Sequence, residues 1–163
     1  MTRRQIALTL ILIVDVGYIA WGAGAAVSPE RLPGPSGKGI LPAAYEGYSG
    51  GSWSQLVSAS PSTAGYIKVM YRMYGIYCAL FGLLASTIAL TAFRRGERWA
   101  WWALFVGNTV ALVSAITMDK LSHAIGPFEL TEYLGVVLVW AALALTYRAS
   151  NIPTAPLVAS AKA

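Results

Sequence analysis

The chain has 163 residues, 56% of them hydrophobic and only 12% charged, with a formal net charge of +5. A soluble domain carries about twice that share of charged residues, so the composition excludes one and reads directly as an integral membrane protein, with a mean hydropathy of +0.57. Nucleic acid is excluded as a partner, because the basic residues form no patch with interleaved aromatics and fall mostly at the ends of apolar runs.

A membrane-crossing helix needs ~20 mostly apolar residues, and four segments qualify. The first runs from about Gln5 to Val27 and contains TLILIVDVGYIAWG, in which Asp15 stands alone among apolar neighbours. A carboxylate at that depth costs about 2.5–3.5 kcal/mol on insertion scales. A secretory signal is the rival reading of this segment, with Arg3 and Arg4 as its basic start and GAGAA as a cleavage region. The apolar stretch continues through Tyr18, Ile19 and Trp21. That exceeds the usual apolar core of a signal, roughly 7–15 residues, and favours a retained span.

Residues 28–61 follow as a loop rich in Gly, Pro and Ser, long for a connection between helices. It reads either as a flexible linker or as a lid in which Ile40, Leu41, Tyr45, Tyr48, Trp53 and Leu56 pack over the helix ends. Its GPSGKG stretch is not a phosphate loop: the first glycine of that pattern would fall at Leu32, and no Ser or Thr follows Lys38. The second span covers about 62–93, the third 99–118 and the fourth 130–147, making one four-span domain over 1–150. The tail 151–163 has two prolines and no helical periodicity, and is expected to be a disordered cytoplasmic extension. The fold class is therefore all-α, an integral membrane four-helix bundle.

Orientation follows the basic residues. Arg3, Arg4, Arg94, Arg95, Arg98 and Arg148 fall on one side, while Arg31, Lys38, Lys68, Arg72 and Lys120 are spread over a longer length on the other. Both termini and the RRGER turn are thus expected in the cytoplasm, beside an aromatic belt of Trp99, Trp101 and Trp102, and the bacterial inner membrane is the expected location.

Membrane helices pack through small residues, and each span has such a stripe. Arg72, Gly75, Ala79, Gly82 and Ser86 align on the second span; Asn108, Ala111, Ala115 and Asp119 on the third; Glu132, Gly135, Val139 and Ala142 on the fourth; Asp15, Tyr18 and Gly22 on the first. On every helix a polar residue shares the stripe, which places the polar groups in the interior. At ~1.5 Å per residue, Asp15 and Asn108 both lie near mid-membrane, whereas Arg72 and Asp119 lie at the outer boundary with Lys120, His123, Glu129 and Glu132. Asp15 is then too far from Arg72 to pair with it, by ~18 Å. Its expected partner is Asn108, with Tyr18 or Tyr77 as further donors, and Arg72 is better placed for Asp119 or Glu132.

The candidate ligand-binding residues are accordingly Asp15, Tyr18, Arg72, Tyr77, Asn108, Asp119, His123 and Glu132. Each has a structural alternative: an interhelical hydrogen bond that fixes register, or a solvated boundary charge. Tyr66, Tyr71, Tyr74, Tyr77 and Phe81 of the second span read as an interface belt or as the wall of a pocket for a lipid- or quinone-like molecule. No nucleophile stands at catalytic spacing, so hydrolysis is not indicated, although His123 among carboxylates has acid–base capacity. One cysteine, Cys78, and one histidine, His123, exclude an internal disulfide and a His/Cys metal set; no metal or cofactor is expected.

The four spans, the helix GIYCALFGLLAS and the turn RRGERWAWWAL together resemble the small four-helix bacterial membrane proteins called DoxX-like. That resemblance implies the fold and no particular activity. A second similarity is to sterol-isomerase-like membrane proteins, in which acidic and histidine groups line an intramembrane lipid pocket. Asp15, Asp119, His123 and Glu132 are the residues able to play those parts here, without an ordered motif to assign their roles.

Three functions are consistent with the sequence. The first is a non-catalytic accessory or assembly subunit of a larger membrane complex, with other subunits, a second copy and membrane lipid as partners. The second is binding or transport of a small apolar ligand. The third is an intramembrane isomerase or redox enzyme using Asp15 or His123. The first requires the least unseen chemistry and leads.

Overall fold

The computed structural model describes residues 2–34, 37–123 and 127–150, with no side-chain description for 127–129 and 148–150. Six helices follow in order: α1 (Arg3–Val27), α2 (Ile40–Ser49), α3 (Trp53–Ala59), α4 (Pro61–Ile88, continued by a π-helical turn Ala89–Phe93), α5 (Arg98–Ser122) and α6 (Pro127–Ser150). Among the described residues, four stretches are long and apolar enough to cross a membrane: Arg3–Val27, Pro61–Phe93, Arg98–Ser122 and Leu130–Tyr147. The expected disordered tail, 151–163, lies outside the described residues.

Local chemistry sets the helix limits. α1 begins in a reciprocal capping box, with the Thr2 N–H donating to Gln5 Oε1 at 2.8 Å and the Gln5 N–H donating to Thr2 Oγ1 at 3.3 Å. Pro61 opens α4, where a missing N–H costs nothing. The Thr91 hydroxyl donates to the Thr87 carbonyl at 2.6 Å where α4 widens into its π turn, a competition with the backbone ladder that bends helices. Gly96 then reverses the chain at φ 87, a conformation that favours glycine. A Cβ there would meet the Arg4 guanidinium at 2.6 Å, so the start of α1 and the α4–α5 turn share one end of the molecule.

The long helices pack in a closed order. α1 lies extensively against α4 and also against α6, α5 lies against α6, and α4 and α5 meet chiefly near their common turn. The α1–α4 crossing is a backbone-on-backbone contact. A Cβ on Gly22 would lie 2.5 Å from Ala79 N and Gly75 O, one on Gly75 2.6 Å from Ala26 N, and one on Gly82 2.5 Å from Asp15 O. Small residues at these positions are what let two helices approach so closely in lipid. Towards the turn end the interior is closed by apolar side chains, among them Ile11, Phe93, Trp101, Leu104 and Leu143.

The stretch 28–61 is neither an open linker nor irregular. It carries α2 and α3, whose Leu41 and Trp53 bury with Ala64 of α4 while Tyr45 and Leu56 pack beside them. α2 reaches α5 and α3 reaches α4, so the pair bridges the ends of the two helices that diverge from the RRGER turn. Its docking is close: a Cβ on Gly47 would sit 2.0 Å from the Ser122 carbonyl oxygen. Tyr48 departs from the expected packing and is 76% exposed, because it follows Gly47 around the helix and points off the docked face. Local propensity hides these helices, since Pro42, Gly47, Gly50 and Gly51 all disfavour them. Tertiary contacts and a left-handed Gly50 cap at φ 69 hold α2 instead.

Glu46 fastens the hairpin. It is ion-paired with Lys38 and accepts the Trp53 N–H at 3.1 Å. The Lys38 ammonium, followed by the Trp53 amide, holds its carboxyl below the ordinary glutamate range. A lowered carboxyl pKa stabilises the fold above the unfolded value, ~4.3, and that contribution is lost as pH falls through the lower folded value. Hydrogen exchange at the Trp53 amide is therefore expected to be slow at pH 6 and to lose its Glu46-dependent protection, after correction for intrinsic rates, below about pH 4. Glu46→Gln is expected to lack the Lys38-dependent part at every pH.

Candidate functional site

Asp15 and Asn108 are both fully buried, at 0% exposure, in the middle of α1 and α5. Gly82 of α4 brings the two backbones together at Asp15, and Gly135 of α6 lies against Leu112 and Val14. Asp15 is therefore enclosed by helices on more than one side. The Asn108 amide lies beside its carboxyl, yet Asn108 Nδ2 donates to the Leu104 carbonyl of its own helix at 3.2 Å. Neither Asp15 Oδ1 nor Oδ2 receives a hydrogen bond, and the same is true of Asn108 Oδ1. The expected juxtaposition of Asp15 and Asn108 is present, and the Asn108 amide, which carries two N–H groups, also satisfies itself on the i−4 carbonyl.

Tyr18 stands one turn along α1. Its ring packs edge-on to Phe81 at 5.2 Å, and its hydroxyl is buried without a hydrogen-bond partner. Ser86 of α4, 9% exposed, also has an unpartnered hydroxyl. Buried polar groups are almost always paired, so a carboxyl, an amide oxygen and two hydroxyls left unpaired in one protein interior are a concentrated exception. Tyr18 is within electrostatic range of Glu132, Cys78 and Asp15, and Tyr71 of Asp119, Cys78 and Glu132. The half-buried Asp119 of α5 and Glu132 of α6 thus lie within range of the same tyrosines.

The remaining candidates lie elsewhere. Tyr77 is 61% exposed; it sits two residues, ~200°, from buried Gly75 and so faces outward rather than Asp15. Arg72 is exposed and donates to the Val27 carbonyl at 3.3 Å instead of pairing with Asp119 or Glu132, because it caps the open carbonyls at the end of α1. His123 is exposed and forms the left-handed C-cap of α5 at φ 48, a position for which glycine is the usual residue. His123→Gly is expected to raise stability by about 1 kcal/mol, read as a higher melting temperature, without altering anything bound near Asp15.

Ser86, read from the sequence only as a member of a small-residue stripe, lies in this interior, as does Phe81, one of the aromatics already read as a possible pocket wall. Ser86 shares the Gly75–Gly82 stripe, which is the signal that identifies it; Phe81 is positioned by the aromatic contact with Tyr18, and its ring fills the space beside Gly107 at 3.4 Å. A separate groove of about 410 Å³ runs between α5 and α6, lined by Trp101, Phe105, Trp140, Leu143, Ala144 and Tyr147. Its two indole N–H groups are already engaged, Trp101 with the Leu143 carbonyl at 2.9 Å and Trp140 with Thr109 Oγ1 at 3.1 Å. That groove offers apolar surface alone.

The fold and site together define a helical protein with four helices able to cross a membrane and a polar interior reaching one buried carboxyl. Comparison with protein-family models, with curated proteins and with solved structures gives no match.

Proposed function

We propose that this chain is a small multi-pass protein of the bacterial inner membrane that binds a small, mostly apolar molecule through a hydrogen-bonding group seated at Asp15. The four long helices form a bundle with both termini and the RRGER turn on the cytoplasmic side, and the α2–α3 hairpin covers the outer end. The observation that carries the reading is the Asp15 carboxyl, buried at 0% exposure with neither oxygen hydrogen-bonded. A group kept only to fix helix register would be expected to make the bond for which it is kept, since an intramembrane carboxyl is costly. The unpartnered Tyr18, Ser86 and Asn108 oxygens supply further contacts for a ligand head, and the Phe81 ring lies where an apolar tail would adjoin.

The resemblance to DoxX-like proteins guides the architecture of this proposal and none of its chemistry. The accessory-subunit function has no observation of its own to favour it: outward residues such as Ile13, Val16, Leu83, Leu84, Val110 and Leu134 are what lipid alone requires. An isomerase or redox role for His123 loses its support with that residue exposed at a helix cap.

Organic extraction of the purified protein, followed by mass spectrometry against extracts of the same membranes, tests the reading. One species enriched with the wild type and absent from Asp15→Asn is expected. Identical bulk lipid profiles from both proteins would refute it.

A further inference from the structure

The end of the molecule that carries the RRGER turn combines two features that a ligand at Asp15 leaves unused. The first is charge. Arg3 and Arg4 of α1 share this end with Arg94, Arg95 and Arg98, since the Arg4 guanidinium lies against Gly96. Glu97 is the one acid here among the described residues, and Arg95 Nε already donates to it at 2.9 Å. Arg3, Arg94 and Arg98 are exposed, Arg4 is half-buried, and none of the four is ion-paired with a described residue. The second feature is the aromatic groove between α5 and α6, which begins one turn from Arg98. Arg98 and Phe105 stand two turns apart on one face of α5, with Trp101 between them. Trp101 and Phe105 are stacked at 5.4 Å, and Tyr147 of α6 meets Trp101 edge-on at 5.4 Å. From Tyr147 to Trp140 the groove runs ~10 Å along α6, away from the arginines.

We propose that this groove holds one acyl chain of an anionic phospholipid, a phosphodiester with no ammonium of its own, whose phosphate is bound by Arg98. This lipid site is separate from Asp15 and does not depend on it. The groove asks only apolar contact of its occupant, because both of its indole N–H groups are engaged within the protein. A partner helix fits it poorly. Helices approach one another in lipid through small residues, and these walls are Trp, Phe, Tyr and Leu, with Ala144 as the one small residue. A hydrocarbon chain is narrow and bends to follow such walls. Arg98 precedes the groove by one turn, and helical side chains lean towards the helix N-terminus, so its guanidinium extends to the level of the head groups as α5 enters the membrane. There its planar fork matches two phosphate oxygens. Charge selects the class of lipid. A zwitterionic head would bring an ammonium among arginines whose one acid is already engaged, whereas an anionic head brings only the charge that this end lacks. Basic clusters at the ends of membrane helices hold anionic head groups for the same reason.

Native mass spectrometry of the full-length protein, released from detergent micelles after incubation with dioleoylphosphatidylglycerol or dioleoylphosphatidylcholine, tests the assignment. The two lipids share their chains and differ in head-group charge. The wild type is expected to retain one phosphatidylglycerol at a concentration about tenfold below that needed for phosphatidylcholine. Two substitutions at exposed positions are each expected to abolish that retention: Arg98→Gln, which removes the phosphate contact, and Ala144→Phe, which fills the groove and leaves the charge unchanged. Arg98→Lys, which restores the charge, is expected to recover it in part. Arg3→Gln lowers the net charge as much as Arg98→Gln does and is expected to behave as the wild type. Equal retention of both lipids by the wild type would overturn the proposal. So would wild-type retention in Arg98→Gln and Ala144→Phe, or an equal loss in Arg3→Gln, since either reduces the effect to the general positive charge of this end. A wild-type dimer that Ala144→Phe dissociates would also overturn it, and would assign the groove to a second copy of the chain.

Discussion

Gly75→Val is expected to cost about 3 kcal/mol and to leave little folded protein after detergent extraction. The reason is the proximity of the α1 backbone: a Cβ at residue 75 would lie 2.6 Å from Ala26 N and 2.7 Å from the Gly22 carbonyl oxygen. Backbone atoms cannot swing aside as the end of a side chain can, so the two helices must separate along their whole contact. In lipid that contact is held by close packing and hydrogen bonds, because burial from hydrocarbon into protein brings no hydrophobic gain. Gly82→Val is expected to do the same, with the added effect of displacing the Asp15 carbonyl, 2.5 Å from its new Cβ. Gly17→Val provides the control. It lies on the same helix as Asp15 with nothing within 4 Å of its added Cβ, and is expected to extract and elute as the wild type does. Size-exclusion profiles of the three variants read the difference.

Asp15→Asn is expected to stabilise the protein once bound small molecules have been removed. The substitution keeps the shape of the side chain and replaces a buried carboxyl with an uncharged amide. Leaving a buried polar group unsatisfied costs about 1–3 kcal/mol, and the new amide N–H can donate to Asn108 Oδ1, which is itself without a partner. A gain of about 1–2 kcal/mol follows. Binding reverses the order: a ligand present at 100 times its Kd stabilises the wild type by ~2.7 kcal/mol, and the variant that cannot bind gains nothing. Stability given up at a functional group is the usual signature of a site. A register-fixing hydrogen bond between Asp15 and Asn108 has the opposite sign, and such bonds average ~0.6 kcal/mol in membrane proteins.

Much of the architecture is legible in the chain itself. Apolar runs of sufficient length mark the four long helices, and the small-residue stripes mark the inner faces: Gly75, Gly82, Ser86, Asn108, Val139 and Ala142 are all buried. Helical geometry would also place Tyr77 outside, since it stands ~200° from Gly75. What the sequence hides depends on tertiary contact. α2 forms despite Pro42 and its glycines because Leu41 and Tyr45 have a surface to bury against. That the Asn108 amide bonds its own helix at the Leu104 carbonyl is a tertiary detail no periodicity reveals. Arg72 has the same character: its depth is readable, its choice of the Val27 carbonyl over an acid is not.

The central claim is that Asp15 is retained to hold a ligand and not to hold the helices together. The most direct measurement is thermal denaturation of wild type and Asp15→Asn, each stripped of bound small molecules by prolonged detergent exchange, then repeated with an organic extract of the source membrane added back. The stripped variant is expected to melt higher than the stripped wild type, and the extract to raise the wild type alone. A stripped variant that melts lower, with the extract shifting both proteins equally or neither, would contradict that claim and make Asp15 a packing residue.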